Sequence, residues 1–518
     1  MRDGPSVMKL DLCRQPFILS ALNILLLLVI LNFALQPLSE PDLGWHLRTG
    51  LDFLQNGWTL PNSDPYSHTM SGWVWVEHAW LTDVLIGGCY SLFGGLGIIV
   101  LFGTVTVSAW LLASRTARCS VLFQWLACIL SLWVALPYLG ARTQLITLLG
   151  LATLLLLLNR WQAGDLSVRW SIPPLFLLWA NLHGGFTAGL FVLGLIIITT
   201  ALVRWLSACR LAFMGKLDEP LFSWEDQKQL MLIAVLSIVV TLVNPYGWRL
   251  HVEILDSLSN RFMLDTLQEW QPMTINGVAG RSYALYLIGL GLAMVLWYRR
   301  IEPVRWAVGG VFLVVSLRHM RNIPFFLIVS LPLCAELLAQ GFECLQSWFR
   351  SGPVLSKRGS FAAAAAVGAL LFWLGPTHLQ HVIQSGTRPA EYFRGTSYPI
   401  EAVEWVKTHR ELVGQRLYND YAYGGFLLWW LPEYKIFIDG RMPAWQMGEY
   451  WIFRDYVALT GMDPPDLSVL KKYSVDWVMV QKMTLLDQEL AREPAWARVY
   501  EDRKVAIYRL LSGQASNR

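Results

Sequence analysis

The sequence predicts an α-helical polytopic membrane protein of about eleven transmembrane helices, with a small C-terminal α/β domain on the extracytoplasmic side. Three observations lead there. Of 518 residues, 55% are hydrophobic and only 15% charged, at a mean hydropathy of +0.42; a soluble domain of this size carries about 25% charge. Apolar runs of bilayer-crossing length recur along the first 376 residues. After residue 376 the runs shorten to strand length and charges return. The expected division is therefore a membrane domain at 1–376, with a first outer loop at 37–95, and an extracytoplasmic domain at 377–518.

The spans read as roughly 17–36, 96–113, 119–138, 143–158, 171–182, 186–203, 229–244, 282–298, 305–317, 322–341 and 360–376. The first follows basic residues, lacks a small-residue cleavage site and is long enough to cross, so it reads as an uncleaved helix. Segment 78–94 holds His78 and Asp83 and runs into SLFGGLG. It is expected to lie at the membrane interface without spanning. Basic residues support that choice. With the N-terminus in the cytoplasm, inner segments hold 17 Lys and Arg, and outer loops before residue 376 hold 7, in line with the positive-inside rule. A span at 78–94 would invert every later segment and largely reverse the bias. The expected location is the cytoplasmic (inner) membrane, in contact with its lipids. Part of the Trp content, 26 residues, fits interfacial aromatic belts. The seven Cys are scattered with no CxxC pair and read as small core residues. A net charge of +4 without any block of Lys or Arg gives no support for a nucleic-acid partner.

In the tail, PIEAVEWVKTHR (399–410) reads as an amphipathic helix, and RLYND, KIFID, DWVMV and VAIYRL read as short strands. Helix alternating with strand suggests a small α/β domain. Its most pointed stretches are NDYAYGGFLLWW (419–430), with Asp420, and FIDGRMPAW (437–445), with Asp439 and Arg441.

With this topology all nine His fall on the outer side. The outer loops carry EPDLGWHLRTG (40–50), Glu77-His78, GARTQ (140–144), NLHGG (181–185), NPYGWRLH (244–251), EWQP (269–272) and RHMRN (318–322). Ionisable groups at a membrane face are functional candidates. Pro41 suits a first helical turn, which puts Asp42 at a positive helix end and aligns it with Trp45 and His46 on one face. Such a carboxylate either stabilises the helix dipole, acts as a general base, binds a metal or orients a sugar hydroxyl. Glu77 and His78 open the interfacial helix. Asp64 precedes Pro65 and reads as a turn cap or an accessory acid. Arg48, Arg142, Arg318 and Arg321 are candidate phosphate ligands, because a guanidinium offers a bidentate fork and stays charged; a span-ending Arg also snorkels. His183 and His319 are candidate donors to a ligand oxygen. NPYG reads as a helix stop. No Walker loop, GxGxxG, HExxH or strand-borne GxSxG occurs, so nucleotide-driven transport and serine hydrolysis have no support.

An acid directly after the first span, a long first outer loop with an amphipathic helix, and many spans together resemble the GT-C membrane glycosyltransferases. These include protein mannosyltransferases, aminoarabinose transferases and oligosaccharyltransferases. The run DLGWHLRTGLDFLQNGWTLPNSDPYS…WVEHAWLTDVLIGGCYSLFG is similar to their first outer loop. His78-Ala79-Trp80-Leu81 stands at their "His-Pro-Pro-Leu" element. DxxWHLRTG, NLHGG, NPYG and a final IDGR resemble, over most of the chain, a group of bacterial membrane proteins. NDYAYGG…IDGR is similar to the WWDYG region of oligosaccharyltransferases, with Asn419-Asp420 in place of Trp-Trp-Asp.

The resemblance implies that a sugar moves with inversion from a polyprenyl-phosphate donor to an extracytoplasmic lipid, glycan or protein. It matches Asp42 to the catalytic acid, with His46, Glu77 and His78 beside it. A divalent cation, Mg or Mn, is compatible with Asp42. The family's second acid has no counterpart in GARTQ; Asp64, Glu77 or Glu269 would replace it, or the chemistry would be absent. The alternative is a non-catalytic membrane protein of envelope glycan or lipid transport or assembly.

Overall fold

The computed structural model describes residues 16–208, 222–297, 303–348 and 375–511. Its helices are α1 (Pro16–Ala34), α2 (Leu43–Gln55), α3 (Trp80–Ser114), α4 (Val121–Ala135), α5 (Gln144–Gln162), α6 (Ile172–Leu182), α7 (Phe186–Ala208), α8 (Trp224–Val240), α9 (Arg249–Ser259), α10 (Arg261–Thr266), α11 (Val278–Trp297), α12 (Pro303–Arg318) and α13 (Ile323–Trp348). Among the described residues six helical stretches are long and apolar enough to cross a bilayer: Trp80–Ser114, Val121–Tyr138, Gln144–Gln162, Phe186–Leu206, Val278–Trp297 and Met320–Leu345. They coincide with six of the eleven expected spans. The expected spans at 171–182, 229–244 and 305–317 are helical; the described residues of α6, α8 and α12 number 11, 17 and 16, against about 20 in a bilayer-crossing helix. The expected span at 360–376 lies almost wholly outside the described residues.

The segment expected at the interface, 78–94, is continuous with the next span in α3. The two parts are separated at Gly94, where φ is 61° and ψ −153°, a conformation that only glycine adopts readily. The first part lies along α2 so closely that a Cβ on Gly50 would sit 1.9 Å from the Asp83 carbonyl oxygen. An apolar helix carrying a buried Asp83 is thereby held against a second helix.

After a helical stretch at 375–387 (α14), the tail contains α15 (Pro389–Arg394), α16 (Ile400–Thr408), β1 (Leu417–Asn419), α17 (Gly424–Trp430), β2 (Gln446–Met447), β3 (Tyr450–Trp451), α18 (Ile452–Gly461), α19 (Ser468–Lys472), β4 (Trp477–Gln481), α20 (Leu485–Arg492), β5 (Trp496–Glu501) and β6 (Val505–Leu510). The main sheet runs β1-β4-β6-β5, parallel only between β1 and β4. RLYND, DWVMV and VAIYRL form strands as expected. KIFID does not, although Ile436, Phe437 and Ile438 are fully buried. Its ladder is a single parallel bridge from Ile436 to Ser67 of the first outer loop, with Ile436 N donating to the Tyr66 carbonyl at 3.0 Å.

Two apolar cores result. One lies among the membrane helices. The other fills the tail, and it takes Trp45, Tyr66, Met70 and Trp75 from the first outer loop. The loop is thus part of the tail's core, whatever boundary composition suggests. Small residues allow the join: a Cβ on Gly44 would lie 1.8 Å from the Gly425 carbonyl oxygen, and one on Gly425 2.1 Å from that of Pro41.

Candidate functional site

Asp42 is the N-cap of α2 and makes no side-chain cap hydrogen bond. Its Oδ1 accepts from Trp45 Nε1 at 3.2 Å. Gly440 of the IDGR stretch approaches so closely that a Cβ there would lie 1.9 Å from Asp42 Oδ1. Burial pushes the Asp42 carboxyl up to about 6, and the Glu269 and Asp439 carboxylates add to the rise. A group poised there changes charge near neutral pH.

Beside Asp42, four loops meet through charge. Arg142 pairs with Glu40 and, at 3.5 Å, with Glu269. Arg321 Nη1 donates to the other Glu269 oxygen at 3.2 Å and its guanidinium stands 5.4 Å from the Trp270 ring centre. His319 Nδ1 donates to the Trp270 carbonyl at 2.5 Å. Glu40, next to Asp42, was not singled out from sequence; burial raises its carboxyl to about 7 despite the Arg142 partner.

One helical turn along α2, His46 Nδ1 lies 2.6 Å from Asp83 Oδ1, and its Nε2 is 3.4 Å from Thr143 Oγ1. Glu77 Oε1 accepts from Ala79 N at 2.9 Å. His46, Glu77 and Asp83 are all buried, and each brings a ligand-capable atom within 4.8 Å of the others. Among the described residues this is the only such grouping, and it does not include Asp42, the residue the sequence offered as a metal ligand. His183 Nδ1 accepts from Thr147 Oγ1 at 2.7 Å and from Gly185 N at 3.0 Å, which puts the neutral ring's proton on Nε2. The His78 and His183 ring centres are 5.5 Å apart. Burial lowers the proton affinity of His46, His78 and His183 alike.

The accessory candidates Asp64, Asp439 and Arg441 form a third group. Arg441 Nη1 donates to Asp64 Oδ1 at 2.8 Å, and its Nε to Asp439 Oδ2 at 2.9 Å. The guanidinium is buried 4.9–5.9 Å from the ring centres of Trp45, Tyr66, Trp75 and Trp445. Asp64 also accepts from the backbone N–H groups of Tyr66 and Ser67, so it caps a turn as well. This group ties the first loop to the tail.

Three candidates stand apart. Arg48 is taken by Asp52 on its own helix at 3.0 Å. Arg318, the last residue of α12, is exposed. Asp420 accepts from Gln481 N at 2.7 Å inside the tail. Sequence reading passed over Asp83 as a ligand, although a carboxylate inside an apolar helix was the available signal.

No protein-family model matches the chain, and no curated protein matches it. Solved structures do. An oligosaccharyltransferase of Archaeoglobus fulgidus, tethered to an acceptor peptide with an NVT sequon, aligns at a TM-score of 0.54 and 14% identity, over 91% of this chain and 70% of that one. The archaeal oligosaccharyltransferase AglB of the same organism, in complex with an inhibitory peptide and a dolichol-phosphate, aligns at 0.53 and 14%, over 90% and 70%. ArnT from Cupriavidus metallidurans, bound to undecaprenyl phosphate, aligns at 0.43 and 14%, over 97% and 100%. At such identities the likeness is one of fold: this chain shares its fold with the archaeal oligosaccharyltransferase.

Proposed function

We propose that the protein transfers a sugar from a polyprenyl-phosphate-linked donor to an acceptor at the extracytoplasmic face of the membrane. The observation that carries this reading is the meeting of Asp42, with its carboxyl raised to about 6, and the Arg142–Glu269–Arg321 group in a GT-C-like fold. Glu269, half exposed, sits between two guanidinium groups, the position a phosphate oxygen of the donor would take.

In this reading Asp42 accepts the proton of an acceptor hydroxyl. The freed oxygen attacks the anomeric carbon. The carbon–oxygen bond to phosphate breaks on the opposite face, its electron pair stays on the phosphate oxygen, and polyprenyl phosphate leaves. Arg142 and Arg321 hold that developing charge. Trp45 Nε1 fixes the Asp42 carboxylate toward the reacting hydroxyl, and Glu40 keeps Arg142 in place. Among the described residues Asp42 belongs to no group of three ligand side chains; in this scheme it acts as the base.

The test is Asp42→Asn in a deletion strain, with membrane levels checked by blot and lipid extracts read by mass spectrometry. The substitution is nearly isosteric and still suits a helix cap. A dipole-stabilising Asp would cost only about 0.3–1 kcal/mol on losing its charge. A general base would cost about 10²–10⁴-fold in rate, leaving a polyprenyl-phosphate-linked sugar to accumulate. Full complementation at normal expression would overturn the catalytic role.

A further inference from the structure

The geometry points to a divalent transition-metal site formed by His46, Glu77 and Asp83, set behind Asp42 and separate from it. His46 comes from α2, Asp83 from the first part of α3, and Glu77 from the segment just before it. Their ligand-capable atoms lie within 4.8 Å of one another, close to the span of about 4.4 Å that a single ion bridges at ligand distances of about 2.2 Å. Burial is nearly complete, at 3%, 1% and 0% exposure. A second observation is independent of the clustering. Glu77 Oε2 and Asp83 Oδ2 are buried without any hydrogen-bond partner. Two unsatisfied carboxylate oxygens in one buried place are costly unless something fills their valence.

Charge says what that is. The buried guanidinium of Arg441 is already shared between Asp64 and Asp439. Deprotonated on binding, the two acids and an imidazole would offer a charge of −2 that a divalent cation neutralises, as a low-dielectric site favours. One imidazole nitrogen with carboxylate oxygens suits Zn²⁺ or Mn²⁺ better than Mg²⁺ or Ca²⁺, which prefer all-oxygen shells. Thr143 Oγ1, near the remaining ring nitrogen, orients the imidazole. On binding, the carboxyl protons leave to solvent, and the imidazole keeps its single proton on Nε2 beside Thr143 Oγ1 while Nδ1 faces the ion. The ion would lock α2 to the start of α3 and so fix the helix whose N-cap is Asp42.

The test uses the full chain, purified in detergent with its affinity tag removed, stripped with a chelator and titrated with Zn²⁺ or Mn²⁺. Metal is read by mass spectrometry and, for Mn²⁺, by electron paramagnetic resonance. Wild type is expected to hold one ion per chain and to prefer both ions to Mg²⁺. Glu77→Gln and Asp83→Asn are expected to weaken binding at least about 10–100-fold. Asp42→Asn is expected to bind as wild type does, which separates this site from the transfer chemistry. No uptake by wild type, equal preference for Mg²⁺, retention of the ion in both ligand variants, or loss of it in Asp42→Asn would each overturn the site. Because the wild-type titration is decisive alone, a variant that fails to fold leaves the proposal falsifiable.

Discussion

Asp42 and His46 were legible from sequence because a helix places residues four apart on one face, and α2 does so. Their partners were not legible. Asp83 lies 37 positions from His46, and Arg142 is 102 from Glu40; no local pattern links such pairs. The raised Asp42 carboxyl has a kinetic consequence. A base must be ionised to accept a proton, so kcat/KM should be flat above the Asp42 pKa of about 6 and fall tenfold per pH unit below it. Glu269 and Asp439 raise that value, while Arg142 and the Trp45 hydrogen bond lower it. Removing the Glu269 charge with Glu269→Gln should therefore move the acid limb to lower pH. A pH–rate profile of reconstituted protein checks both; an acid limb that stays put in Glu269→Gln would remove Glu269 from the surroundings of the base.

Among the elements, the long apolar runs were legible because hydropathy alone defines them. Helix ends and the kink at Gly94 were not, because they depend on neighbours. KIFID shows the same limit in the tail. Its apolar centre is buried as a strand's would be, but its pairing comes from Ser67, more than 360 residues away. β5, WARVYE, was missed altogether; it lies at the sheet edge against β6 with an irregularity at Arg498/Tyr500. The close crossing of α2 and α17 supplies an element-scale expectation. Gly44→Ala places a methyl 1.8 Å from a backbone oxygen of Gly425, which no rotamer change relieves. It should destabilise the protein by about 1–3 kcal/mol or more. Gly291→Ala on α11, where a Cβ meets nothing within 4 Å, should be neutral or slightly stabilising. Thermal unfolding in detergent compares the two. Equal melting temperatures would mean that the crossing does not hold the loop to the tail.

At the scale of the molecule, the contact between α2 and the tail constrains topology more tightly than composition does. Trp45 joins the tail's core, and Arg441 of the tail joins Asp64 of the first loop. Both regions must lie on one side of the membrane, so an even number of crossings separates them. The sequence reading puts ten between residue 56 and residue 376, which satisfies the condition. A crossing by the first part of α3 would make eleven, which would put the tail on the other side. That segment packs along α2, and we propose that it lies at the interface. Parity does not say which side is outside; the sequence expectation, with 17 Lys and Arg on the inner side against 7 on the outer, places the tail outside. Reporter fusions at residue 518 and within the 205–228 loop should accordingly report opposite sides, with the C-terminus extracytoplasmic. A third fusion near residue 57, after α2, should report the same side as residue 518. If residues 57 and 518 report different sides, the docking of loop on tail is wrong. If those two agree but the 205–228 loop joins them, the docking stands and the eleven-span count falls.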